Sequence, residues 1–246
     1  MTDRIAESSP RLRARIAGVL YLIVIATAMF AESFVRDPLI VSGDAATTAH
    51  NILASEQLFR LGFAADLVNF SCYIAVVLIF YGLFKPAGRT LSLVAAGFGM
   101  AGCITGAINM INQLAPLALL KAAPYLKAYS PEQLHASAYV FLRLHLFGYA
   151  VSMTFFGIYC VLLGCLVMRS AFLPRILGAL LAIAGTGYVT NSFAIFLASP
   201  LVAQFGIYLL LPGFIAELSL TLWLIAIGVN AAKWRMQAGV TGAVPS

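Results

Sequence analysis

Six ionisable residues stand inside long apolar stretches of the chain: Glu32, Arg60, Asp66, Arg143, His145 and Glu217. Four asparagines, Asn69, Asn109, Asn112 and Asn191, accompany them. Carboxyl and imidazole groups in such surroundings can exchange a proton, hold a cation or orient a polar ligand, and a neighbouring arginine can neutralise a carboxylate. A charge in hydrocarbon costs about 2.5–3.5 kcal/mol on insertion scales, so each of these residues requires a partner, a cavity or a task. Asp66 and Glu217 are the candidate titrating groups, with Arg60, Arg143 and His145 as their partners. The plainer alternatives are interhelical hydrogen bonding for the asparagines, worth about 0.6 kcal/mol each, and interface anchoring for Arg60 and Arg143.

Helical spacing groups these residues into stripes. Asp66, Asn69 and Tyr73 share one face, as do Thr105, Asn109, Asn112 and Pro116, and likewise His145, Tyr149 and Ser152. These stripes are the expected walls of a polar pocket. Arg60 points away from Asp66 and pairs naturally with Glu56 at i−4, while Arg143 and His145, two residues apart, point to roughly opposite sides. His145 is expected either to face the same cavity as Asp66 or to bond a backbone carbonyl of a neighbouring helix.

Other chemistries find no support. The chain has no phosphate-binding glycine loop, no HExxH and no GxSxG, and among His50, His135 and His145 a single histidine lies in an apolar run. A triad of Ser152, His145 and Asp66 has no supporting spacing. Cys72, Cys103, Cys160 and Cys165 form no CxxC pair and read as small packing residues. No cofactor or metal is expected, and no catalytic residue is assigned.

The elements that must position these groups are membrane helices. Of 246 residues, 62% are hydrophobic and 10% charged, whereas roughly a quarter of a soluble domain is charged. Apolar runs cover about Ala14–Phe34, Leu58–Phe84, Leu91–Leu117, Tyr139–Met168, Phe172–Ala198 and Phe205–Asn230. Each can cross a hydrocarbon core of about 30 Å as a helix, and the alternation of a barrel strand is absent. The fold class expected is therefore an all-α membrane protein with six transmembrane helices. Residues 1–235 form one domain and residues 236–246 a disordered tail. Arginines ahead of an apolar stretch ending in Ala28-Met29-Phe30-Ala31 also suit a cleaved leader, but the length of that stretch favours a retained helix.

Charge sets the orientation. The formal charge of +6 is spread over loop ends, which fits lipid headgroups and not nucleic acid. With a cytoplasmic N-terminus the inner side holds Arg4, Arg11, Arg13, Arg15, Lys85, Arg89, Arg169, Arg175, Lys233 and Arg235, against Arg36, Lys121 and Lys127 outside. Both termini are then cytoplasmic in an inner, plasma-membrane location. Glu32, Asn109, Asn112 and Asn191 fall in outer half-spans, as do Arg60, Asp66, Arg143 and His145, while Glu217 lies near the midplane, ~18 Å along its helix. The expected pocket thus opens outward and is closed below by apolar packing. Both larger loops are external, with Ser42 or Asp44 able to cap a short helix and Ser130 before Pro131 able to start another.

A repeat is legible as well. Arg15-Ile16-Ala17-Gly18 opens the first span and Arg175-Ile176-Leu177-Gly178 the fifth, and Gly62-Phe63-Ala64-Ala65-Asp66-Leu67 matches Gly213-Phe214-Ile215-Ala216-Glu217-Leu218. A weaker middle copy would place Tyr149 at the position of Asp66 and Glu217, giving three repeated helical hairpins around one axis.

The segments Gly43-Asp44-Ala45-Ala46-Thr47-Thr48-Ala49-His50-Asn51-Ile52 and Glu56-Gln57-Leu58-Phe59-Arg60-Leu61-Gly62 carry a resemblance. So do Phe155-Phe156-Gly157, Leu163-Gly164-Cys165-Leu166, Arg169-Ser170, Leu173-Pro174-Arg175-Ile176-Leu177-Gly178, and Leu211-Pro212 with Glu217 and Trp223-Leu224. In this order they resemble the bacterial membrane family catalogued as domain of unknown function 4386. One departure is Phe98-Gly99-Met100, where a polar or basic residue is expected after the phenylalanine. The resemblance implies six spans and no established activity.

The leading functional expectation is a non-enzymatic membrane protein whose outward polar pocket binds or passes a small molecule or a proton. Its site residues are Asp66, Glu217, His145, Arg60, Arg143, Asn69, Asn109, Asn112, Tyr149 and Glu32. The alternatives are an intramembrane enzyme acting on a lipid or quinone-like substrate, with His145 and a carboxyl as acid and base, and a scaffold without a ligand. The implied partners are membrane lipid and a small-molecule ligand, and no oligomeric state is implied.

Overall fold

The structure is a computed structural model that describes residues 9–121, 123–198 and 200–239. Six helices are long and apolar enough to cross a membrane: Pro10–Leu39, Glu56–Ala87, Arg89–Leu120, Pro131–Arg169, Arg175–Phe196 and Tyr208–Ala226. Backbone polar groups in hydrocarbon must pair within their own segment, which makes the helix the outcome for each apolar run and tolerates the internal Pro116 and Pro212.

Capping residues account for the ends that extend past the apolar runs. Asp44 accepts from the Thr47 N–H at 2.9 Å and starts the short helix Ala45–Ala54. The Thr47 hydroxyl and amide together hold the exposed Asp44 carboxyl below the usual carboxylate range. Ser130 and Gln133 form a reciprocal capping box, and Pro131 occupies the first turn. The fourth helix therefore begins ahead of the expected Tyr139 and runs for 39 residues, well beyond the ~20 that a bilayer requires.

Sequence neighbours pack side by side through the six spans, and the sixth returns to the first, closing a ring. The end bearing Pro10 and Gln237 is filled: Tyr21, Phe80, Phe84, Leu163, Leu181, Leu220 and Leu224 form a continuous buried cluster. A final helix, Ala231–Gln237, seals it, with Trp234 Nε1 donating to the Leu83 carbonyl at 2.8 Å and Gln237 Nε2 to that of Arg169 at 3.1 Å. Met236 and Gln237 thus belong to a helix and not to the expected tail, whose residues 240–246 lie outside the described ones. At the opposite end the helix 45–54 packs on the protruding fourth span. Ala49 and Ile52 join Val35, Leu39, Phe59, Leu117, Ala138 and Leu142 in a second apolar cluster.

Fourth and fifth spans approach most closely through glycine. A Cβ on Gly164 would fall against the Gly178 carbonyl, and one on Gly178 would fall 2.6 Å from the Gly164 carbonyl. Small residues at such crossings allow backbones to meet where lipid supplies no hydrophobic drive between helices. Gly82 has open space where its Cβ would be. Gly164→Ala is therefore expected to destabilise the protein by at least about 1–3 kcal/mol through overpacking against backbone. Gly82→Ala should stay within about 0.5 kcal/mol. Thermal unfolding of both variants in the same detergent checks this, and equal melting temperatures would show that the crossing is loose.

Candidate functional site

The first span does not remain an α-helix to its end. Residues Phe30–Arg36 form a π-helical segment, in which the Asp37 N–H bonds the Glu32 carbonyl. Wider turns of this type shift the angular position of everything after them. Here they carry Glu32 and Arg36 toward the neighbouring spans. Arg36 Nε donates to Glu32 Oε2 at 2.6 Å, and Arg36 Nη1 to Asp66 Oδ2 on the second span at 2.5 Å. Fully buried Gln113 on the third span completes the group. With its amide oxygen toward Arg36 Nη1 at 3.3 Å, its nitrogen donates to Asp66 Oδ2 at 3.1 Å. Arg36 and Asp66 side chains are each 11% exposed, so this ion pair is largely desolvated.

Two cavities flank this group. The larger, about 470 Å³, is lined from five of the six spans and from the third at Gly102 and Cys103; among its walls are Asp66, Asn69, Tyr73, Phe156, Asn191 and Glu217. The smaller, about 250 Å³, lies toward the loop end and is bounded by Asp37, Ser42, Tyr139, Arg143 and His145. Glu32, Arg36 and Tyr149 belong to the walls of both. Tyr149, Asp66 and Glu217, aligned by the expected repeat, line the larger cavity together.

Glu217 has different company from Asp66. Tyr188 Oη donates to Glu217 Oε1 at 2.6 Å, and none of the ion pairs among the described residues includes Glu217. Gly213, one turn earlier, gives Tyr188 its place, since a Cβ there would collide with the tyrosine hydroxyl. Below the carboxyl, Tyr73 Oη donates to Tyr21 Oη at 3.2 Å.

The remaining candidates divide. Asn69 Nδ2 donates to the Val24 carbonyl at 2.7 Å, tying the second span to the first beside the larger cavity. Asn112 Nδ2 donates to Asn109 Oδ1 at 3.0 Å, and Asn109 Nδ2 donates to the His145 carbonyl at 2.8 Å and lies 3.2 Å from its Nδ1. His145 thus pairs with Asn109, while Asp66 pairs with Arg36. Arg143 stacks over Phe147 at 5.5 Å, yet both Arg143 and His145 reach the smaller cavity despite their spacing of two. Arg60 is bound to Glu56 at 2.8 Å on the surface, with Lys121 joining the same carboxylate, and lines neither cavity. Among the described residues no cluster of three His, Cys, Asp or Glu side chains is placed to hold a metal ion.

Arg36 and Gln113 are the residues that sequence reading missed. Arg36 follows the apolar run that ends at Phe34 and therefore counts with the outer loop charges. The available signal was Glu32 at i−4, with Phe34 and Val35 continuing the apolar pattern between them. Gln113 carries a comparable signal at i+4 from Asn109.

The ion-pair geometry makes an asymmetric prediction. Arg36→Met strands Asp66 with Gln113 alone and is expected to cost about 3 kcal/mol or more. Asp66→Asn leaves Arg36 paired to Glu32 and should cost less. Chemical or thermal unfolding in detergent measures both, and the reverse order would mean that Asp66 is held by something other than Arg36.

An uncharacterized protein of Archaeoglobus fulgidus is 29% identical over 157 residues, covering 63% of this chain and 76% of that one. No solved structure matches the chain. The family model described as domain of unknown function (DUF4386) matches residues 16–228, a stretch that holds the first span from Ile16 onward, the other five spans whole, and Arg36, Asp66 and Glu217. The chain belongs to the DUF4386 family.

Proposed function

We propose that this multi-pass membrane protein binds or passes a small molecule or a proton through the larger cavity, and that the cavity communicates with the outer side of an inner, plasma membrane. The observation that carries the reading is the convergence of Glu32, Asp66, Asn69, Asn191 and Glu217 on one space of about 470 Å³, within the 300–1,000 Å³ of ordinary ligand pockets. Polar groups used solely as interhelical glue would be consumed by each other, whereas Glu217 retains accepting capacity beyond its bond from Tyr188. The filled aromatic and leucine cluster at the opposite end blocks a continuous path, so passage would require a second conformation.

The outward direction rests on charge. Arg11, Arg13, Arg15, Lys85, Arg89, Arg169, Arg175, Lys233 and Arg235 belong to the end that bears Pro10 and the helix Ala231–Gln237, as cytoplasmic residues would. Catalysis by His145 with a carboxyl draws no support from the geometry, because the imidazole is held by Asn109.

Cysteines placed singly at Asp44, Ser130 and Asn191, in a background free of native cysteine, should react with an impermeant thiol reagent added outside, and one at Gly88 should not. Labelling at Gly88 with Asp44 silent would reverse the orientation, and an inert Asn191 beside a reactive Asp44 would remove the open cavity. For function, Glu217→Gln should abolish proton-linked uptake or release in proteoliposomes while leaving expression nearly unchanged. A variant as active as the parent protein would exclude Glu217 from the site.

A further inference from the structure

We propose that the ligand of the larger cavity is a lipophilic organic cation, an amine or onium group whose charge rests at Glu217 and whose apolar body lies on the aromatic wall. This rests on the cavity reading above and adds the chemical class.

Charge decides the sign. Three carboxylates, Glu32, Asp66 and Glu217, face the larger cavity against one guanidinium, Arg36. That guanidinium is already engaged through Nε with Glu32 and through Nη1 with Asp66. An anion entering the space would meet a neutralised arginine and an additional carboxylate. Glu217 stands outside the ion pairs of the described residues, and its hydrogen-bond partners, Tyr188 and Tyr21, are neutral phenols. A cation is the ligand that completes it.

The walls decide the body. The Tyr188 ring lies 6.1 Å from Phe156, and Phe156 lies 4.7 Å from Tyr73, so a continuous aromatic surface starts at the Glu217 carboxyl. Ring faces attract a cation within about 6 Å and also cover apolar substituents. A volume of about 470 Å³ is far more than a bare metal ion fills, and an organic body is needed to exclude water from it. Met29 and Phe214, on the first and sixth spans, add apolar surface to the same walls.

The test uses the full-length protein in nanodiscs, with empty nanodiscs as the background. The probes are tetraphenylphosphonium, its anionic counterpart tetraphenylborate, and neutral triphenylphosphine oxide. The expected result is saturable binding of tetraphenylphosphonium near one per chain, at least tenfold tighter than either other probe. That affinity should fall at least tenfold in Glu217→Gln and stay unchanged in Arg60→Gln, since Arg60 lies outside the cavity. The comparison of three probes on the parent protein decides the class even if Glu217→Gln fails to fold. Equal or tighter binding of the borate or the oxide would overturn the cationic class and leave the cavity reading standing. Absence of saturable binding by all three would overturn this proposal, and the accessibility of a cysteine at Asn191 separately decides whether the cavity itself survives.

Discussion

The guanidinium of Arg36 holds together what the rest of the upper bundle depends on. A guanidinium that is only 11% exposed has lost most of its water and must be matched by the protein. Glu32 supplies one partner from the same helix, Asp66 a second from the next span, and Gln113 a third contact from the span after that. Three consecutive spans are thereby fixed at one level. The π-helical stretch of residues 30–36 is the means: it turns the end of the first span so that Arg36, which follows the apolar run, faces inward instead of lying at the surface.

Fixing the spans there also explains why the ring is open above and closed below. Near the termini Gly18 admits Leu224 and Ile225, and Tyr21, Phe80 and Leu181 fill the axis. Toward the loops the ion-paired group of Glu32, Arg36, Asp66 and Gln113 stands between the first three spans, beside the second apolar cluster. The outcome is two cavities separated by the Glu32–Arg36–Tyr149 wall.

The spans were legible in the sequence because hydrophobic runs of this length have one outcome in lipid. Their polar ends were legible where a cap was present, as at Asp44 and Ser130, and illegible where a π-turn extended the helix past an apparent stop, as at Arg36. Helical phase identified which side chains share a face, and Asp66, Asn69 and Tyr73 do line one cavity. Phase says nothing of the partner on the opposing helix. That partner depends on the crossing between spans, and so His145 meets Asn109 while Asp66 meets an arginine that the apolar pattern had assigned to a loop.

The contrast between Asp66 and Glu217 follows from the same limit. The two carboxyls occupy matching positions in similar segments, Gly62–Leu67 and Gly213–Leu218, and line one cavity. Asp66 is bound to a guanidinium, and removing its charge would unpair part of a network that also positions Gln113. Glu217 has neutral phenols, Tyr188 and Tyr21, as its partners, so changing its charge alters no ion pair among the described residues. A group that can gain or lose a counter-charge without dismantling the fold is free to exchange ligands. On the proposed reading of the cavity, Asp66 is the clamp and Glu217 the exchangeable site, two tasks that similar sequence contexts do not distinguish and that different partners on the neighbouring spans would separate.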